Sequence, residues 1–583
     1  MRLFDIPFHQ LHHFPNEKMF TTKTDGVWKS ISTQEFLDLV EKTSLGLIEL
    51  GINEGDKIGI ISSNRYEWNV LDIATLQIGA IVVPIYPNIS KDDYTYILND
   101  SEIKLCVVGD QDLYEKISEI RTKTPRLNLL YTFNKYNEIP HWTEIHNVGK
   151  IEHQSIIEER KSKISKFDLA TIIYTSGTTG NPKGVMLSHN NIVSNALACV
   201  DRMPCDEHSR VLTFLPVCHV YERMLHYLYM YMGCAIYFAE SLDTIGDNIR
   251  EVKPHMFTAV PRLIEKVYDK IIQKGEELTG IKKKLFFWAV SVAEQYEVGK
   301  SDFWFTFKLK IARKLIFSKW KEALGGEVKA IASGSAALQP RLARIFLAAD
   351  ITVLEGYGLT ETSPVISVNC LKNGIKIGSV GTLIPDVEVK IAEDGEILVK
   401  GPNVMMGYYK QPEKTAEAIV DGWFHTGDIG TFVDGKFLKI TDRKKEIFKT
   451  SGGKYIIPQA MENKFKESRF IEQMMVVGEG QKFPGALIVP SFIHLKDWLN
   501  KKGVNAKELS NFEIINLNLV KEKLEKEVNH YNQFYGGYEQ IKKFELLENE
   551  FTIEGNELTP TLKLKRKIIL EKYALFIERI YNV

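Results

Sequence analysis

The chain has 583 residues, 44% hydrophobic and 26% charged, with 74 basic residues against 75 acidic ones. That length exceeds what one hydrophobic core organises, so two or more domains are expected, and a formal net charge of -1 excludes a protein whose whole surface tracks nucleic acid. Six cysteines without a CxxC pair exclude a disulfide framework and a zinc ribbon.

The opening segment, MRLFDIPFHQLHHF, has neither a continuous apolar run nor a small-residue cleavage site, so no secretory signal is expected. Amphipathic spacing predicts a helix from Glu35 to Leu50, stopped by Gly51, and an apolar strand at Lys57–Ile61. A helix from Glu67 to Gly79 and a buried strand from Ala80 to Val83 follow, then short strands at 104–108 and 127–132. Strands alternating with helices build a sheet covered on both faces, and the alternation resumes from Leu169 to Val260.

Residues 281–321 interleave aromatics with lysine and arginine. Such a stretch can lie peripherally on an anionic bilayer. It can equally form two amphipathic helices whose aromatics fill the core, and the sequence keeps both open. No stretch reaches the roughly 18 uncharged apolar residues that span a bilayer, so any membrane contact is expected from the inner face of a cytoplasmic protein with reduced thiols.

From Thr382 the texture changes. Short strands at Glu388–Ile391 and Glu396–Val399 are separated by the turns EDGE, KGPN and VDGK, the pattern of an antiparallel subdomain. TDRKKEIFKTSGG has the charge and glycine content of a hinge, and the lysine-rich remainder suits a small α+β unit. The expected fold class is α/β: a large N-terminal domain of layered α/β sheets plus a small antiparallel β subdomain, residues 1–440, then a small mobile α+β C-terminal domain, residues 441–583.

The strongest local signal is Ile172–Gly184, IIYTSGTTGNPKG. An apolar run leads into Thr175, Ser176, Gly177, Thr178, Thr179 and Gly180, with Lys183 close behind. Glycines let backbone N–H groups approach an anion, hydroxyls add donors, and the lysine adds charge, which together make a polyphosphate cradle. Walker A places Ser or Thr after its lysine. Here Gly184 follows Lys183, which counts against a P-loop ATPase or kinase.

TSGTTGNPKG resembles the signature loop of the adenylate-forming superfamily, which includes acyl-CoA synthetases, luciferases and peptide-synthetase adenylation domains; there the loop holds the β- and γ-phosphates of ATP. The resemblance continues in order over nearly the whole chain. In GYGLTE it implies that Gly356, Tyr357 and Gly358 border adenine, that Thr360 contacts phosphate and that Glu361 holds Mg²⁺. An aromatic face suits a purine and a carboxylate suits a hard cation. Ser333, Gly334, Ser335 and Ala336 resemble the segment between adenine and the acyl pocket. Asp428, in DGWFHTGDIG, matches the aspartate that accepts both ribose hydroxyls, and Arg443 matches an arginine reaching ribose or phosphate. Read by themselves, TGD is one more turn and Arg443 one more solvated charge.

In LPVCHVYER, His219 matches a residue at the edge of the acyl pocket; on its own it reads as a core or capping histidine. The tryptophan gate of some members would fall at Arg223 and is not carried over. LTPTLKLKRK resembles the late lysine motif and places the catalytic lysine at Lys563, while Lys565, Arg566 and Lys567 read as solvated. Lys183 joins Lys563, Thr360 and Glu361 as an expected catalytic group. The hinge position falls at Lys445, and Ser451, Gly452 and Gly453 would approach coenzyme A in a rotated state.

The variants LPVCHVYER, DRKKEIFKTSGGKYIIP and LTPTLKLKR resemble long-chain fatty-acid–CoA ligases. The resemblance therefore implies an enzyme using ATP, Mg²⁺ and coenzyme A to convert a fatty acid first to acyl-AMP and then to acyl-CoA. The alternative is an acyl-AMP ligase loading a carrier-protein phosphopantetheine. Small molecules, and not nucleic acid, are the expected partners.

Overall fold

In the computed structural model, which describes residues 1–175, 181–241, 243–299, 302–559 and 562–582, two large sheets carry the first two-thirds of the chain. In the seven-stranded sheet, Lys57–Ile61 lies between Ile81–Ile85 and Ile103–Val108, all parallel, with Leu129–Thr132 at one edge. Leu169–Thr175 pairs parallel with Ile81–Ile85, and Lys183–Ser188 returns antiparallel beside it. In the nine-stranded sheet the strands Arg210–Thr213, Ala235–Phe238, Met256–Ala259, Ala330–Ser333 and Val353–Gly358 are parallel, with antiparallel strands at both ends.

Continuous apolar runs make these strands. Ile81–Ile85 is buried throughout, as a parallel strand covered on both faces must be. One core joins the two sheets through the helices Tyr66–Gln77, His189–Cys199 and Val220–Tyr231. The expected helix at 35–50 runs Thr33–Glu49. It starts early because Ser32 and Glu35 cap each other: Ser32 Oγ accepts from Glu35 N–H at 3.2 Å and Glu35 Oε2 accepts from Ser32 N–H at 2.7 Å.

The antiparallel subdomain is present as a five-stranded sheet in which Glu388–Ile391, Glu396–Lys400 and Trp423–Val433 pair in turn, with Phe437–Arg443 on the far side. The last part of the chain has cores of its own. Its sheet, Ile471–Val477, Gly485–Pro490 and Lys543–Leu546, alternates side chains between two faces beyond an irregularity at Ile471–Gln473. Met474, Val476, Ala486 and Ile488 face the helices Pro458–Phe465, Phe492–Lys501 and Asn518–Asn532, whereas Met475, Val477, Leu487 and Val489 face Arg566–Lys572 and Ala574–Tyr581.

Residues 281–321 are part core and part surface. Gly280–Ala293 and Ser318–Ala323 bury Phe286 and Trp320 in the core under the nine-stranded sheet. Phe303–Ala312 leaves Phe303, Trp304 and Phe307 exposed. Among the described residues no helix is long and apolar enough to cross a membrane.

Candidate active site

The signature loop is the connection of a hairpin. Thr175 ends one strand and pairs directly with Lys183, which begins the next. Ser176, Gly177, Thr178, Thr179 and Gly180 lie outside the described residues. Lys183 Nζ sits 4.6 Å from the centre of the Tyr408 ring, and the Tyr408 hydroxyl donates to Glu361 Oε1 at 3.0 Å.

The nine-stranded sheet delivers Val353–Gly358 to the same place. Gly358 pairs with Val365 of the next, antiparallel strand, and a Cβ there would lie 1.7 Å from the Pro364 carbonyl oxygen. Only glycine lets the chain double back so tightly. The turn Thr360–Thr362 seats Thr360 and Glu361 at the reversal.

Asp428 and Arg443 are direct partners in the register of Trp423–Val433 with Phe437–Arg443, so one strand pair presents both. Tyr357 Oη donates to Asp428 Oδ2 at 2.7 Å, and Arg443 Nε stands 3.3 Å from Asp428 Oδ1. Burial pushes the Asp428 carboxyl up from its usual range, while Arg443, the Tyr357 hydroxyl and Lys563 pull it back.

Lys563 enters this cluster from the C-terminal part. Burial first, and the Arg443 charge second, lower its ammonium to about 8 against the attraction of Asp428, Glu446 and Glu361. His219 is lowered to about 4, by burial first and by Lys563 second, so it is neutral near pH 7. It caps the helix Val220–Tyr231, with Nδ1 accepting from Tyr221 N–H at 3.2 Å. The cap histidine and the cleft-edge histidine are therefore the same residue.

Among the four basic residues of the late motif, Lys563 is the one felt by Asp428 and His219. Lys565 donates to Asn556 Oδ1 at 2.5 Å. Arg566 is not solvated, contrary to expectation. Its Nη2 reaches both oxygens of Glu462 at 2.7 Å and its Nε reaches Glu446 at 3.0 Å, because the start of Arg566–Lys572 packs against the buried carboxylate of Glu462.

The cleft encloses about 2510 Å³, larger than a pocket for one small ligand. Thr175, Lys183, His219, Gly334, Ser335, Ala336, Gly356, Tyr357, Gly358, Thr360, Glu361, Asp428, Arg443, Lys445 and Lys563 line it. Ser333 does not; it ends a strand, buried, with no hydrogen-bond partner for its hydroxyl among the described residues. Ser451, Gly452 and Gly453 sit outside the cleft on the exposed turn between Phe448–Lys449 and Tyr455–Ile456. Arg223 is buried and paired with Asp72 at 2.5 Å, a core ion pair in place of a gate.

Residues 8–409 match the AMP-binding enzyme family, and residues 445–583 match the AMP-binding enzyme C-terminal domain. The chain belongs to the AMP-binding enzyme family. Among its relatives is the long-chain-fatty-acid–CoA ligase FadD15 of Mycobacterium bovis, 34% identical across 97% of this chain and 95% of that protein. Long-chain-fatty-acid–CoA ligase 1 of Homo sapiens is 31% identical across 96% of this chain and 83% of its own. The crystal structure of the adenylation domain of a carboxylate reductase from Mycobacterium chelonae shares the fold, with a TM-score of 0.76 and 21% identity, covering 100% of this chain and 91% of that one.

Two residues of this AMP-binding enzyme's cleft escaped the sequence. Tyr408 stands far along the chain from Glu361 and Lys183, and a strand pairing with Val185 brings it there. Glu355 lines the cleft with its carboxyl raised to about 8 by burial, so it is protonated near pH 7. A glutamate ending an apolar strand immediately before GYG was the available signal.

Proposed function

We propose that this AMP-binding enzyme is an acid–thiol ligase. It joins a long-chain fatty acid to AMP at the expense of ATP, releasing pyrophosphate, and then passes the acyl group to coenzyme A. The observation that carries the proposal is the convergence on one cleft of Lys183 and Glu361 from the first matched region, Asp428 and Arg443 from the segment between the two, and Lys563 from the second. Its size suits a nucleotide together with an acyl chain and a thiol substrate.

A carboxylate and a triphosphate are both anions, so their reaction needs positioning and charge neutralisation. Tyr357 offers its ring to adenine. Asp428, with two acceptor oxygens, suits the vicinal hydroxyls of ribose. Lys183 and the hydroxyl-rich loop take the terminal phosphates, and Lys563 neutralises charge where the carboxylate oxygen meets the α-phosphorus. Removing one such contact costs about 3–4 kcal/mol, or about 10²–10³ in rate. Glu361 keeps Oε2 free of its Tyr408 bond. One carboxylate plus substrate phosphates is an ordinary Mg²⁺ environment, so Glu361 would hold the ion, which supplies further charge neutralisation when bound.

The second step needs room in the cleft for the thiol arm, and Lys563 lines that cleft. We place the domain division at 440/441 and the pivot at Lys445. Lys444 is gripped by Asp394 at 2.6 Å and Glu396 at 2.9 Å, Glu446 is gripped by Arg566, and exposed Lys445 lies between. Rotation there would withdraw Lys563 and bring the Ser451–Gly453 turn toward coenzyme A. The enzyme would work in the cytoplasm and meet the inner membrane face through residues 281–321.

Incubation with ATP, Mg²⁺, palmitate and coenzyme A tests the proposal: AMP and palmitoyl-CoA should form in equal amounts. Accumulation of palmitoyl-AMP without thioester would overturn it in favour of carrier-protein loading.

A further inference from the structure

Three large aromatics stand in solvent on one short helix. In Phe303–Ala312, Phe303 is 76% exposed, Trp304 66% and Phe307 52%. At about 100° per residue these three positions share one side of the helix, while Leu309 and Ala312 on the opposite side are buried. Isolated exposed apolar residues are ordinary on protein surfaces, but a contiguous aromatic group marks a contact site.

The charge around the group indicates what it contacts. Residues 303–321 contain six basic residues and no acidic one. Arg313 is engaged with the Ala348 carbonyl at 2.8 Å and Lys321 with Asp350 at 2.8 Å. Lys308, Lys310, Lys314 and Lys319 are exposed and make no ion pair among the described residues. Leu315, within the π-helical turn Arg313–Phe317 that follows, is also exposed. A protein partner of this surface would have to match both an aromatic patch and a ring of lysines. An anionic bilayer matches both without further specification: aromatic rings seat at the headgroup level and lysines pair with phosphates.

We propose that Phe303–Ala312 and its continuation to Lys319 form an in-plane anchor for anionic phospholipid, with Phe303, Trp304 and Phe307 as the inserted side chains. Phe286, Phe317 and Trp320 take no part because they fill the core. The inference rests on the peripheral membrane contact proposed above and narrows it from a 41-residue stretch to one helix face. It supplies a reason for the position of the patch: an enzyme whose acid dissolves in lipid gains from resting where that acid is concentrated.

Vesicle flotation tests it, using phosphatidylcholine vesicles with and without phosphatidylglycerol. The full chain should float with the anionic vesicles and be released by high salt. The Phe303→Ser/Trp304→Ser/Phe307→Ser variant should lose about tenfold or more in partitioning. Replacement of Lys308, Lys310, Lys314 and Lys319 by Gln should remove the preference for anionic lipid. Both variants should keep the wild-type melting temperature and turnover of water-soluble octanoate. Equal flotation of wild type and the aromatic variant would overturn this inference alone. No flotation of wild type would overturn it together with the membrane contact, leaving the ligase activity to its own assay. A wild-type dimer dispersed by the aromatic substitutions would assign the face to a second copy and overturn the lipid anchor.

Discussion

Lys563 is a poorly solvated ammonium that must stay charged to fill its proposed role. Its value falls from 10.5 to about 8 on folding, so the charge is intact below about pH 8 and lost above it. The kcat/KM for pyrophosphate exchange should therefore fall on the alkaline side with an apparent pKa near 8, a limb absent from thioester formation when acyl-AMP is supplied; an exchange rate flat to pH 9.5 would remove Lys563 from the first step. Tyr408 acts through Glu361, whose Oε1 it holds at 3.0 Å. Tyr408→Phe should raise the Mg²⁺ concentration for half-maximal exchange about tenfold, measured by Mg²⁺ titration at saturating ATP. Glu361 was legible because GYGLTE resembles a family motif. Tyr408 was not, because a pairing between strands distant in sequence has no local spacing to reveal it.

Short backbone elements fix these side chains, and their demands are severe. Gly358→Ala would drive a methyl group into the Pro364 carbonyl, against backbone that cannot step aside. A stability loss of about 1–3 kcal/mol is expected, read as a lower melting temperature, with exchange activity reduced because Thr360 and Glu361 shift together. Glu446 ties the segment beyond the proposed pivot to the helix that follows Lys563, through Arg566. Glu446→Gln keeps the Arg566–Glu462 pair and should lower kcat for exchange about tenfold, roughly 1.4 kcal/mol, with the KM for ATP unchanged. Continuous apolar runs made the parallel strands readable, and turn tetrapeptides made the antiparallel subdomain readable. Residues 281–321 resisted, since aromatic–basic alternation has no period of its own and only packing decides which ring is buried. The burial of Arg566 was hidden for a related reason: its partners, Glu462 and Glu446, lie over a hundred positions away, and no local spacing links them to it.

The whole molecule is arranged so that a distant part of the chain completes the site. Ion pairs dock the C-terminal part onto the helix Pro261–Glu277: Arg262 with Glu472, and Glu276 with Arg469 at 3.3 Å. These contacts hold Lys563 in the cleft, and they must open if thioester formation uses a rotated arrangement. Two half-reactions would then make opposite demands on one lysine. Lys563→Ala, assayed separately for pyrophosphate exchange and for palmitoyl-CoA formation from supplied palmitoyl-AMP, tests this most directly. Exchange should fall by about 10²–10³ or more while the thioester step stays near wild type; an equal loss in both would contradict the division of labour.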